Sequence, residues 1–137
     1  MATYTKFNTA VLDMALGNHD FENDVFKYLL TNSAPAATNT VLANLTEIAT
    51  GNGYTAGGPT IGTSAAQSSG TLSVTPSGDI TITASGGSIG PLRYVTFYNS
   101  TATNGPLVSF YDYGSSITIA DGETFVIDSA ATLFQMA

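Results

Sequence analysis

Apolar and polar residues alternate with a period of two through much of the second half of this chain, and turn chemistry separates the runs. Leu72 and Val74 precede Pro76-Ser77-Gly78-Asp79, and Ile80 and Ile82 follow it. Ile117 and Ile119 precede Asp121-Gly122, and Phe125 and Ile127 follow it. One apolar face per strand marks a half-buried antiparallel sheet, and Asp-Gly between two such runs is a strong hairpin signal. The pattern predicts a mainly β chain built by local hairpins, with each pair of runs folded against the other.

Two longer runs extend the meander. In 93–98, Tyr94, Thr96 and Tyr98 fall on one face with Val95 and Phe97 on the other. After Asn104-Gly105-Pro106, Val108 and Phe110 alternate with Ser109, Tyr111 and Tyr113. Val95, Phe97, Val108 and Phe110 are the expected core. The opposite face then gathers Tyr94, Tyr98, Tyr111 and Tyr113, either as an amphipathic contact surface or as a second core face. A final strand around Leu133-Phe134 closes a sheet. Seven or eight short strands point to an antiparallel β-sandwich or small barrel, because an open sheet leaves edges that invite aggregation.

The first half is less regular. Phe7, Val11 and Met14 recur at helical spacing, with Thr3 or Thr5 available as a cap and Gly17 as a left-handed stop. A short helix over 4–16 is expected, in an N-terminal segment (1–20) that either docks on the sheet or reaches a neighbouring subunit as an arm. Residues 21–137 then form one β domain. Within it, 25–30 is a strand ended by Asn32-Ser33-Ala34-Pro35, and Leu42, Leu45 and Ile48 fit a short helix or ordered loop. The stretch 54–70, rich in Gly, Ser, Thr and Ala, is expected to be a long surface loop.

Charge narrows the partners. Ten acidic against three basic residues give a net charge of −7, the wrong sign for neutralising phosphates or approaching an anionic membrane. No apolar run reaches the ~20 residues of a membrane-spanning helix, and the N-terminus has no secretory pattern. Cysteine is absent, which suits folding in a reducing cytosol. In that compartment the Asn-x-Ser/Thr matches at Asn44 and Asn99 are chance. Charged residues make up only 9%, against about 25% in an ordinary soluble domain, which hints at surface committed to neighbours.

Catalytic and metal signatures fail on inspection. Gly86-Gly87-Ser88-Ile89-Gly90 matches the string of a nucleophile elbow, yet Pro91 and a strand follow where a helix is needed. Asp20, Glu22 and Asp24 are spaced like the first ligands of a calcium loop, but Val25 replaces the turn glycine and Thr31 the distal glutamate. His19 is the only histidine and makes no zinc site alone. Gly51-Asn52-Gly53 lacks the third glycine of a dinucleotide cradle. No cofactor, metal or enzymatic activity is expected.

Four blocks taken in order resemble a family of small tailed-bacteriophage structural proteins: Val25-Phe26-Lys27-Tyr28-Leu29-Leu30-Thr31-Asn32-Ser33, Gly51-Asn52-Gly53-Tyr54-Thr55-Ala56-Gly57-Gly58, Arg93-Tyr94-Val95-Thr96-Phe97-Tyr98-Asn99 and Pro106-Leu107-Val108-Ser109-Phe110-Tyr111-Asp112-Tyr113-Gly114. A strand pair similar to 117–128 ends such proteins. The resemblance implies a virion component without enzymatic activity. A capsid decoration (cement) protein on the capsid exterior is the first expectation, bound to the major capsid protein and to copies of itself, with trimers natural at threefold positions. A tail or fibre component and a host-glycan-binding module are the alternatives. The contact surface is expected on the N-terminal segment (Phe7, Val11, Met14), on the 50–70 loop with Tyr54, and on Tyr94, Tyr98, Tyr111 and Tyr113.

Overall fold

The computed structural model describes residues 3–128 and 132–136. It is a mainly antiparallel β-sandwich with one short α-helix near the N-terminus, as the alternation predicts. The larger layer is a five-stranded sheet in the order β1-β8-β7-β2-β3: β1 (Thr3–Lys6), β2 (Phe26–Thr31), β3 (Thr60–Ile61), β7 (Ile89–Asn99) and β8 (Leu107–Ile119). Against it lie a three-stranded sheet of β4 (Thr63–Ser68), β5 (Thr71–Pro76) and β10 (Phe134–Met136), and a ribbon of β6 (Ile80–Thr83) with β9 (Thr124–Ile127).

The main core fills the space between these layers. Phe26, Tyr28, Leu30, Val95, Phe97 and Tyr111 from the large sheet meet Val74, Ile82, Ile127 and Phe134 from the other strands, and Leu133 just before β10. Phe21, Phe26 and Phe97 stack, with centroids 4.8 Å (Phe21–Phe26) and 5.1 Å (Phe26–Phe97) apart. Full burial of each such ring stabilises the fold by about 1.5–3 kcal/mol. The large sheet is also buried on its other face, where Phe7, Leu29, Tyr94, Tyr98, Leu107 and Phe110 form a second cluster covered by Leu42 and Leu45. The sheet is therefore a central layer, and its central strands bury apolar residues on both sides.

Several local expectations are corrected by tertiary pairing. The 72–74 and 80–82 runs do not form a hairpin: β5 pairs with β4 and β10, while β6 pairs with β9 through Ile80 opposite Ile127 and Ile82 opposite Phe125. Asp121-Gly122 does reverse the chain, with the Glu123 amide donating to Ala120 and Gly122 at φ +86°. The runs that flank it nevertheless belong to different sheets. The end of β8 stays on β7, with Ile119 opposite Ile89, so β9 crosses to β6 instead.

The 54–70 stretch is not one long loop, because β3 and β4 occupy its second half. Ser69 and Gly70, both at positive φ (50° and 83°), make the two-residue turn into β5 that right-twisted strands require. Residues 4–16 are not one helix. β1 lies on β8 with Tyr4 opposite Tyr111, and α1 spans only Thr9–Ala15, with Asn8 at its cap instead of Thr3 or Thr5. Gly17 does take the left-handed stop, at φ +76°. The β8 edge left open at 109–112 offers backbone partners that a lone N-terminal turn lacks.

Candidate interaction surface

The eight residues expected at a contact surface separate sharply in the fold. Tyr94, Tyr98, Tyr111 and Tyr113 do not share a face: Tyr94 and Tyr98 point into the second cluster, whereas Tyr111 belongs to the main core and Tyr113 packs against it. Register is the reason. Val95 stands opposite Tyr111 and Thr96 opposite Phe110, and a one-residue change of register carries a whole strand's side chains to the other face. A bulge follows, in which Phe97 faces Ser109 and Tyr98 faces Leu107, so Leu107 and Val108 are both buried. Tyr98 and Tyr111 are each only 3% exposed. Burial raises the Tyr98 and Tyr111 hydroxyls above their ordinary range, and it pushes the half-buried Tyr113 up to about 12.

Tyr54 is also interior, and it organises the loop around it. Its hydroxyl accepts the Leu30 amide at 3.2 Å and donates to Glu47 Oε2 at 2.6 Å. The same carboxylate oxygen accepts the Gly57 amide at 2.7 Å, and the Gly57 carbonyl accepts the Tyr98 hydroxyl at 2.6 Å. Burial, aided by the Glu47 hydrogen bond, raises the Tyr54 hydroxyl well above its ordinary value. Gly58 completes the brace. Its φ is +82°, and a Cβ there would fall on the Tyr28 carbonyl. The 51–58 loop is thus bolted to β2 and β7.

The N-terminal residues divide by helix face. Phe7 is fully buried in the second cluster, against Phe110 at 5.2 Å, and Met14 packs on the main core. Phe7 is therefore not available to a partner in the folded chain. Val11 is exposed at 38%, and its neighbours Leu12 and Leu16 at 58% and 65%. Leu12 and Leu16 are four residues apart and so lie on one side of the helix. They form an apolar ridge outside the Phe7, Val11 and Met14 stripe, of which Phe7 and Met14 take the docking alternative and Val11 alone is exposed.

Thr9 and Asp13 of α1, with Asn18, also line an open groove of about 340 Å³ and mixed polarity, together with Thr40, Val41, Ala102, Thr103 and Pro106. The Asp13 carboxylate already accepts from Thr9 Oγ1 at 3.3 Å and Asn18 Nδ2 at 3.0 Å. Behind it lies His19, with its side chain fully buried and Nε2 3.9 Å from Asp13 Oδ2. His19 stacks on Phe21, and its Nδ1 faces Asn99 Nδ2 at 3.3 Å. Burial lowers its pKa, against the opposing pull of Asp13 and Asp24, so the ring is neutral near pH 7. Asn99 ties this corner together: its amide nitrogen also reaches Asp24 Oδ2 at 2.7 Å and the Asn18 carbonyl at 3.1 Å. The potential glycosylation asparagine is thus a fully buried structural residue.

The remaining chemical motifs are turn devices. Asp20 Oδ1 accepts the Glu22 and Asn23 amides, and Oδ2 accepts Asn23 Nδ2; these bonds, led by Asn23, lower its pKa. Among the described residues no three His, Asp or Glu side chains form a group that would hold a metal ion. Ser88 precedes β7, and its carbonyl accepts Asn52 Nδ2 at 2.9 Å, so the glycines around it serve a tight interstrand loop. No described helix is long and apolar enough to cross a membrane. No protein-family model, curated protein or solved structure matches the chain.

Proposed function

We propose that this chain is a non-enzymatic structural protein of a tailed-bacteriophage virion, acting as a decoration protein on the outer surface of the major capsid protein lattice. The resemblance of its sequence blocks carries the reading. Three of those blocks are the adjacent strands β2, β7 and β8, and the fourth is the 51–58 loop braced on β2 and β7. The similar residues therefore form one contiguous scaffold, as expected when a family keeps a framework and varies its contact surfaces. The exposed Leu12 and Leu16 ridge supplies an apolar anchor, and the low charge density of the chain suits repeated weak contacts that add through multivalency.

A tail or fibre location uses the same scaffold at lower copy number. Quantitative mass spectrometry of purified particles separates the two: hundreds of copies per particle support cementing, and a dozen or fewer favour the tail. A chain absent from particles removes the reading. The host-glycan alternative loses the stacking platform on which it was founded, because Tyr94, Tyr98 and Tyr111 are buried and do not share one face.

A further inference from the structure

We propose that β4 is a self-pairing edge, through which two copies of the chain join antiparallel across a two-fold axis and merge their three-stranded sheets into one of six strands. Among the described residues only β5 pairs with β4, in an unbroken ladder from Thr63 opposite Pro76 to Ser68 opposite Thr71. The other side of β4 is a regular row of backbone donors and acceptors. Such a row is a template for a strand and for little else.

Edges are normally guarded by a charge, a proline, a bulge or sheer brevity. The outer strands of the five-stranded sheet and the far edge of β4's own sheet follow that rule, since β1 carries Lys6, β3 has two residues and β10 has three, while the ribbon strands β6 and β9 are uncharged but have only four residues each. By contrast β4 has six residues, Thr-Ser-Ala-Ala-Gln-Ser, with no charge, no proline and no bulge. Residues 64–68 are exposed on both faces of the strand.

Charge selects a second copy as the occupant. At −7, two copies repel through most of their surfaces, yet residues 48–78 contain no charged residue. A β4 to β4 contact keeps every acidic side chain out of the hairpin that meets its twin. A basic partner would find no carboxylate here, and an amphipathic helix no apolar groove. Identical antiparallel strands satisfy each other about a two-fold axis, and the small Ala65 and Ala66 at the centre of β4 put no bulk across the axis. Six residues a side make a small interface, so association is weak and concentration-dependent.

The test is sedimentation equilibrium of the full chain at roughly 0.1–1 mM, where a weak interface is populated. The expected mass is two chains, falling to one in Ala66→Lys with an unchanged far-UV circular dichroism spectrum, since the side chain at 66 is solvent-exposed. A nitroxide attached through Ala66→Cys, in a chain without native cysteine, then shows dipolar broadening from its twin, because paired strands lie about 4.8 Å apart. A wild-type mass of one chain or of an odd number of chains overturns the proposal. So does an oligomer that survives Ala66→Lys and lacks the broadening. Neither result bears on the copy number in particles, so the pairing and the virion reading fail separately.

Discussion

The Tyr54 hydroxyl receives the Leu30 amide and gives its proton to Glu47, so one oxygen joins β2 to the loop that crosses it. Tyr54→Phe keeps the ring and leaves that amide without its partner. The expected loss is about 1–3 kcal/mol, read as a lower urea midpoint at unchanged m-value. His19 acts through its proton. Burial lowers its folded-state pKa below the ordinary 6.5, so the unfolded chain binds the proton more readily. Its contribution is complete above about pH 6.5 and is lost progressively as pH falls from there toward the folded-state pKa. The thermal midpoint should therefore drop between pH 7.5 and 5.5, and His19→Gln should flatten that drop. An equal drop in His19→Gln would assign the pH dependence to other groups.

Elements depend on a few backbone positions that side-chain alternation cannot reveal. Gly58 and Gly70 both have left-handed φ, but a Cβ at Gly58 meets the Tyr28 backbone whereas one at Gly70 meets nothing within 4 Å. Gly70→Ala should cost about the 1–2 kcal/mol of the left-handed conformation alone. Gly58→Ala should cost clearly more, because β2 or the 51–58 loop must also move. Comparing the two by chemical denaturation checks the brace.

The same distinction explains what could be read in advance. The β class, the strand over 25–30, the β7 and β8 runs and the inward-facing Val95 and Phe97 follow from period-two burial, a local property. Strand partners are not local: 72–74 offers the same alternation to β4 or to β6, and only the assembled core selects β4 and β10. β4 is not legible in the sequence because its solvent-exposed, small residues carry no apolar period. Tyr94 and Tyr98 do belong to a second core face, but Tyr111 and Tyr113 do not join them, because alternation fixes sides within β7 and within β8 but not the register between them. Of the expected contact residues, Val11 is exposed, and Leu12 and Leu16 beside it lie off the Phe7, Val11 and Met14 stripe that marks the docked side.

At the scale of the whole molecule, the central strands of the large sheet bury apolar residues on both faces, and the contact surfaces proposed above are the α1 ridge and the exposed β4 edge. Leu12→Lys with Leu16→Lys should leave unfolding free energy within about 0.5 kcal/mol, since both side chains already face solvent. The same double variant should abolish association with particles, measured by co-sedimentation of the purified chain with undecorated capsids. The most direct measurement is a density map of intact particles that contain the chain. The account predicts the sandwich on the capsid exterior with Leu12 and Leu16 covered by the major capsid protein. The chain missing from the particle, or bound there with that ridge open to solvent, would contradict it.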